Sequence, residues 1–355
     1  MKKYVYEIIV FFNDESDDFI ENNNSKEKKA YYDENHFDVI ELTNKNIVLK
    51  CERSNDRVLS DIIKGFNSTM NKQLTKSLIF FFAINGCLPE IKLVKVRKFE
   101  NQRKKGEIEY KTEQLIQPFN SSLNEALKIE ESKLDVLFCK DLNKSQALMI
   151  SLSLWLKGVT SKLAGDTFDC FWTSFNSLYS FISNQKTEFN KRKDIRSFIL
   201  NNRHLFTESS SLFSAYDEKE IRRLRWREMI LNDYETEKST KAFRDFILRY
   251  KDYRLNKIFQ DTLPYRKKFL SNAGYLNEVE DHIKTNISNK YKDDYQLLCF
   301  YLVKYSYFLR NKYFHGEKID STIYLIKTTE IEELTRINEI FKVFLRELII
   351  SNDHY

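Results

Sequence analysis

The stretch 295–309 reads YQLLCFYLVKYSYFL, fifteen residues in which Lys304 is the only charge. A helix wound from it is apolar on every face, so it is stable only when other helices enclose it. Its partners are legible on both sides. Downstream, Glu330–Ile350 sets Ile331, Leu334, Ile337, Phe341, Phe344, Leu345 and Leu348 along one face with charges opposite. Upstream, Thr167–Ile182 repeats Phe168, Phe171, Trp172, Phe175, Leu178, Tyr179 and Ile182 at three- and four-residue steps, a wide aromatic stripe that belongs in a core. Ser145–Lys157 and Leu123–Leu137 add two more segments of helical period. Three or four such helices make a bundle. Seven Gly and three Pro in 355 residues agree with long helices, because propellers, Gly-rich linkers and turn-dense all-β chains need frequent reversal.

The first hundred or so residues read differently. Tyr4–Phe12, Phe37–Leu42, Ile47–Glu52, Ile91–Arg97 and Ile108–Ile116 are short, rich in Val, Ile, Tyr and Phe, and several alternate with period two, which predicts strands. Between them Arg57–Gln73 places Val58, Ile62, Ile63 and Phe66 at helical spacing, and the polar stretch Glu21–Lys29 reads as a surface loop. Gln117-Pro118-Phe119-Asn120-Ser121-Ser122 joins a proline to capping-type residues and marks a boundary. The expected organisation is mainly α: a smaller mixed α+β domain over 1–117, then a helical bundle over 118–355. Residues 186–270 carry 21 Lys+Arg against 13 Asp+Glu, within a chain whose net charge is only +6. The region 186–290 therefore reads as a basic, peripheral elaboration of the bundle.

Composition narrows the chemistry. Hydrophobic residues make up 42% and charged residues 31%, the balance of a folded globular chain. The longest purely apolar run, Leu78–Ile84, falls far short of the ~20 residues that span a bilayer. Glu7 interrupts the apolar N-terminal run, and Asp14, Glu15, Asp17 and Asp18 follow where a leader would have its cleavage site, so a cytoplasmic protein is expected. Cys51, Cys87, Cys139, Cys170 and Cys299 are scattered, odd in number and never in a C-x-x-C pair, which argues against a disulfide framework or a cysteine zinc site. No phosphate loop, G-x-G-x-x-G turn, H-E-x-x-H helix or G-x-S-x-G elbow occurs. No metal or cofactor is implied. His36, His204, His282 and His354 lie on polar stretches and read as surface residues.

What remains is Phe308-Leu309-Arg310-Asn311-Lys312-Tyr313-Phe314-His315-Gly316. Gly316 suits the left-handed residue that ends a helix, so His315 is expected at the cap with Arg310 a little over one turn earlier. Five residues rotate about 140°, so the two side chains converge only where the last turn unwinds. The helix C-terminus favours the imidazolium and Arg310 opposes it. Arg310-Asn311 followed by His315-Gly316, behind an apolar helix and ahead of an amphipathic one, resembles the R-x4-6-H signature of HEPN domains. The likeness is greatest to the Apea-like group of prokaryotic defence and toxin systems. Phe171-Trp172-Thr173-Ser174-Phe175-Asn176-Ser177-Leu178-Tyr179 is similar to the aromatic first core helix of that group. The resemblance covers about residues 145–350 and leaves the N-terminal domain unidentified, with a sensor or regulatory role as its expectation.

The resemblance implies a metal-independent endoribonuclease, acting in antiphage defence or a toxin system on an RNA substrate. The ribose 2′-hydroxyl would attack, leaving 2′,3′-cyclic phosphate and 5′-hydroxyl ends. His315 would move the protons, Arg310 would hold the phosphate and its transition-state charge, and Asn311 would orient one or the other. One histidine does not easily serve as both base and acid, and the resemblance implies a homodimer whose two motifs share a cleft. A neutralising or triggering partner is a further expectation. Arg222, Arg223, Arg225 and Arg227 around Trp226 form the densest basic cluster, suited to gripping an RNA backbone while the indole stacks on a base. Tyr250, Tyr253 and Arg254 make a weaker second patch. The alternatives are a non-catalytic HEPN-like module for RNA or protein binding and dimerisation, and a nucleotide-sensing regulator.

Overall fold

A computed structural model describes residues 4–13, 26–65, 68–118, 121–314, 326 and 328–355. The chain divides into two compact units, one comprising Met1–Ser161, Thr173–Phe181 and Ile349–Tyr355, the other Lys162–Trp172 and Ile182–Leu348. The whole is mainly helical with an N-terminal sheet.

The first unit holds six antiparallel strands: β1 (Tyr4–Phe12), β2 (Lys26–Tyr31), β3 (Phe37–Leu42), β4 (Asn46–Arg53), β5 (Ile91–Glu100) and β6 (Arg103–Lys111), in the order β2-β3-β4-β1-β5-β6. Strand β1 is central, pairing Ile8 with Leu49 of β4 and with Val96 of β5. Helices α1 (Leu59–Lys64) and α2 (Thr69–Asn85) follow β4. Helix α2 contains the apolar run seen in the sequence, buries Phe80, Phe81 and Phe82, and sets Phe81 against Phe12 of β1 with ring centroids 5.1 Å apart. It ends at Gly86, whose φ of +80° is the left-handed conformation that glycine adopts without a Cβ clash. Short α3 (Glu131–Leu134) and long α4 (Leu142–Thr160) complete the part of this unit before residue 161.

Helix α5 (Ala164–Ile182) gives residues 164–172 to the second unit and 173–181 to the first. The second unit continues with α6 (Glu188–Asn201), α7 (Thr207–Ser211), α8 (Glu218–Arg222), α9 (Trp226–Asp233), α10 (Thr240–Leu248), α11 (Tyr253–Thr262), α12 (Lys267–Asn272) and α13 (Leu276–Asn289). Then come α14 (Asp294–Cys299), a π-helical segment (Phe300–Tyr305), α15 (Ser306–Phe314) and α16 (Thr329–Ile350).

Several expectations are corrected. The loop expected over Glu21–Lys29 gives way, from Lys26 on, to edge strand β2, whose Lys28 binds Glu131 at 2.6 Å and Asp135 at 2.7 Å. Lysines on an edge strand stay solvated or paired while the backbone joins the sheet. Residues 21–25 lie outside the described ones. The strand expected over Ile108–Ile116 runs instead over Arg103–Lys111, and Ile116 is 90% exposed. The single helix expected over Arg57–Gln73 is two, since α1 stops at Gly65, whose added Cβ would lie 2.6 Å from the Asp61 carbonyl oxygen. Leu123–Leu137 forms a 3-10 turn at Glu125–Leu127 and the short α3 rather than one helix. The stretch 295–309 is buried on nearly every side as expected, but a π-helical segment interrupts it. Residues 186–290 are not peripheral: Phe243, Phe246, Tyr250, Ile258 and Phe259 are buried and interlock as an aromatic core, with Phe246 and Phe259 centroids 5.2 Å apart.

Candidate active site

Helix α15 positions the Arg310 segment. The preceding turn is π-helical, so the Ser306 backbone N–H donates five residues back to the Tyr301 carbonyl, and the Ser306 hydroxyl donates to the same oxygen at 2.6 Å. Phe308 and Leu309 are fully buried, which anchors the next turn, so Arg310, Asn311 and Lys312 emerge half-buried at the end of the helix. Nη1 of Arg310 donates to Oδ1 of Asn311 at 3.3 Å. The helix is described to Phe314; His315 and Gly316 lie outside the described residues.

The neighbours of this helix within its unit define the electrostatics. Asp169 of α5 feels three influences: burial raises its pKa, Asp166 three residues earlier raises it further, and Arg310 lowers it, leaving it above the ordinary aspartate value. Arg310 thus stands near a carboxyl group, Asp169, that composition and motif spacing gave no reason to select; its only signal is its i, i+3 placement with Asp166 on the aromatic helix. Tyr307, three residues before Arg310, packs 6.1 Å from Trp172 and carries the Arg192 guanidinium 3.7 Å above its ring. Lys312 approaches Glu228 at 3.9 Å.

The basic cluster is brought near α15 but is differently employed. Trp226 is 5% exposed, stacks on Phe300 at 4.8 Å and 7°, and donates its indole N–H to the Ile221 carbonyl at 2.7 Å. Its ring is therefore a core side chain and is not available to stack on a base, a correction to the sequence expectation. A buried indole needs a partner for its N–H, and this one has it. Arg225 binds Glu333 at 3.0 Å and Glu228 at 3.4 Å, and its backbone N–H donates to the Tyr305 hydroxyl at 2.8 Å. That hydroxyl donates in turn to Glu333, and burial, followed by the charge of Glu333, pushes the Tyr305 pKa well up. Arg222 pairs with Asp261 at 2.8 Å and Arg223 with Glu220 at 2.9 Å, both exposed pairs, while Arg227 lies 5.5 Å over the Tyr265 ring. Arg222, Arg225 and Arg227 border a groove of about 650 Å³ with Leu231 and Tyr265. The second patch is corrected as well: Tyr250 and Arg254 are buried, and Arg254 is held by Asp252 at 2.8 Å and Asp294 at 2.7 Å.

Among the remaining histidines, His36, His204 and His354 are exposed, and His282 is half-buried with Nε2 2.9 Å from the Tyr250 carbonyl oxygen. All five cysteines are free thiols; Cys51, Cys170 and Cys299 are buried. Among the described residues no three His, Cys, Asp or Glu side chains gather to hold a metal ion, and no helix is long and apolar enough to cross a membrane. Comparison with protein-family models, with curated proteins and with solved structures finds no match for this chain.

Proposed function

We propose that this chain is a HEPN-like, metal-independent endoribonuclease whose reacting groups are Arg310 and His315, with Asn311 beside them. The observation that supports it is Arg310 itself: a half-buried guanidinium on a helix rooted in the core, hydrogen-bonded to Asn311, with His315 five residues further along the sequence. A guanidinium fixed in this way offers a planar fork for two phosphate oxygens and for the charge gained on attack by the 2′-hydroxyl. An imidazole titrates near pH ~6.5 and exchanges the protons of attack and departure. Products are a 2′,3′-cyclic phosphate and a 5′-hydroxyl end. Two copies sharing one cleft would supply one histidine as base and the other as acid. In the cell the activity would belong to defence or toxin action, under a trigger or a neutralising partner, with the sheet-bearing unit as the sensor.

The experiment is cleavage of structured RNA in excess EDTA by the wild type, Arg310→Ala and His315→Ala. Each variant is expected to lose at least ~100-fold in rate, the contribution ordinarily made by a positioned acid–base or electrostatic group. Undiminished cleavage by either variant removes that residue from the mechanism. Light scattering of the same samples should give twice the chain mass.

A further inference from the structure

A second basic feature of the helical unit lies beside α15. Arg192, Lys193 and Arg196 of α6, Arg249 just past α10, and Lys304 of the π-helical segment line a pocket of about 310 Å³. The one carboxylate in its wall, Asp245, already accepts from Arg244 at 2.8 Å. Just outside, Asp233 pairs with Lys304 at 2.7 Å and Glu188 lies 3.8 Å from Arg192. Lys193 and Arg249 are exposed and form no ion pair among the described residues. Nε of Arg196 is buried without an acceptor among them, although its Nη2 reaches the Arg249 carbonyl at 3.3 Å. Gathered cations with so little internal compensation, one donor of which is withheld from water, make a concavity suited to an anion.

The place of the pocket says which anion. Arg192 stacks on Tyr307, and Tyr307 is three residues before Arg310, so both project from the same face of α15. From Lys304 to Arg310 the chain climbs roughly 9 Å, at about 1.5 Å per residue. Phe189, 66% exposed at the pocket wall, offers the face of an aromatic ring beside the cations, the pairing by which single strands are held through base stacking and backbone charge together. We propose that this pocket binds a backbone phosphate of a single RNA strand that continues along α15 to Arg310. The proposal rests on the ribonuclease reading only for the identity of the ligand.

The test is anisotropy of a labelled 2′-O-methyl RNA, which lacks the attacking hydroxyl and stays intact, measured on the full chain between 50 and 200 mM salt. Lys193→Glu/Arg249→Glu is expected to weaken binding at least ~10-fold and to flatten the log–log salt slope by about 0.7 for each phosphate no longer neutralised. Lys268→Glu/Lys284→Glu makes the same change in net charge at exposed residues that do not line the pocket and is expected to stay within about threefold of the wild type. Equal losses in both double variants, or no binding by the wild type, overturn the proposal. Tight binding of a nucleoside monophosphate that the oligonucleotide does not displace also overturns it, assigning the pocket to a free nucleotide. Cleavage of unmodified RNA is scored separately. Pocket-dependent binding without cleavage defeats the ribonuclease reading and leaves the phosphate site standing, whereas cleavage with binding indifferent to Lys193 and Arg249 does the reverse.

Discussion

Trp226 and Lys76 show what a single position in a sequence conceals. Four arginines surround Trp226, yet its indole has more apolar surface to hide than the chain would gain by leaving it beside them, so the ring turns inward against Phe300, while Arg222 and Arg223 pair at the surface and Arg225 pairs with buried Glu333. Lys76 is the converse. Within the sheet-bearing unit it is 6% exposed, donates to the Ser145 hydroxyl at 2.6 Å, and has no carboxylate among its described partners. Burial lowers its pKa from 10.5 to about 8. The unfolded chain therefore holds a proton that the native chain has released between about pH 8 and 10.5, and stability gains from this group as pH rises through that window. Below it the native state carries the full penalty of a buried ammonium. Lys76→Met is expected to be more stable than the wild type at pH 7, by on the order of 2 kcal/mol, with the advantage shrinking toward pH 10. Urea unfolding at both pH values measures it; a variant no more stable at pH 7, or a gap that ignores pH, contradicts the assignment of an unpaired buried charge.

Elements were legible where one face alone is apolar or where apolar residues fill a helix. Strand β1 and helices α5 and α16 match their sequence patterns to within three residues at each end. Strand β2, Lys-Glu-Lys-Lys-Ala-Tyr, was not, because an edge strand draws on backbone pairing and leaves its side chains polar. The π-helical turn was not legible either. One added residue shifts the phase of everything after it by about 100°, so an ideal α wheel drawn from residue 295 points Arg310 the wrong way. In the candidate site the residue types Arg310, Asn311 and His315 could be picked from the chain. Asp169 beside Arg310 and Arg192 over Tyr307 could not, since both arise from helices brought together over more than a hundred residues. The short helices of 186–290 hid their aromatic core for a similar reason: each contributes only one or two rings. Phe246 meets Tyr250 at 5.7 Å, Phe259 at 5.2 Å and Phe300 at 6.3 Å. Phe246→Ala should lower stability by about 3–5 kcal/mol, against about 0.5 kcal/mol or less for Ile116→Ala at an exposed position. Guanidinium unfolding of the two variants decides it, and a Phe246→Ala loss under ~1 kcal/mol would return this region to the periphery.

At the scale of the molecule, the chain does not finish one unit before it begins the next. Residues 173–181 and 349–355 belong with the sheet-bearing unit although both follow residue 161. Their contribution there is concrete. Phe175, Leu178 and Tyr179 are buried, Ser174 shares a 2.8 Å hydrogen bond with Ser151, and the Asn352 amide donates to the Lys133 carbonyl at 2.7 Å. A fragment ending at Ser161 keeps every strand but loses the three aromatic and aliphatic side chains that close its core, and fully burying each is worth about 1.5–3 kcal/mol. That sum is comparable with the whole stability of an ordinary domain, about 5–15 kcal/mol. Residues 1–161 made alone should therefore lack dispersed amide resonances and a cooperative thermal transition, whereas the full chain shows both. Adding a synthetic peptide of residues 164–182 should recover part of the dispersion. A fragment 1–161 that melts cooperatively without the peptide would mean that the sheet and α2 hold their core unaided, and that α5 serves the helical unit alone.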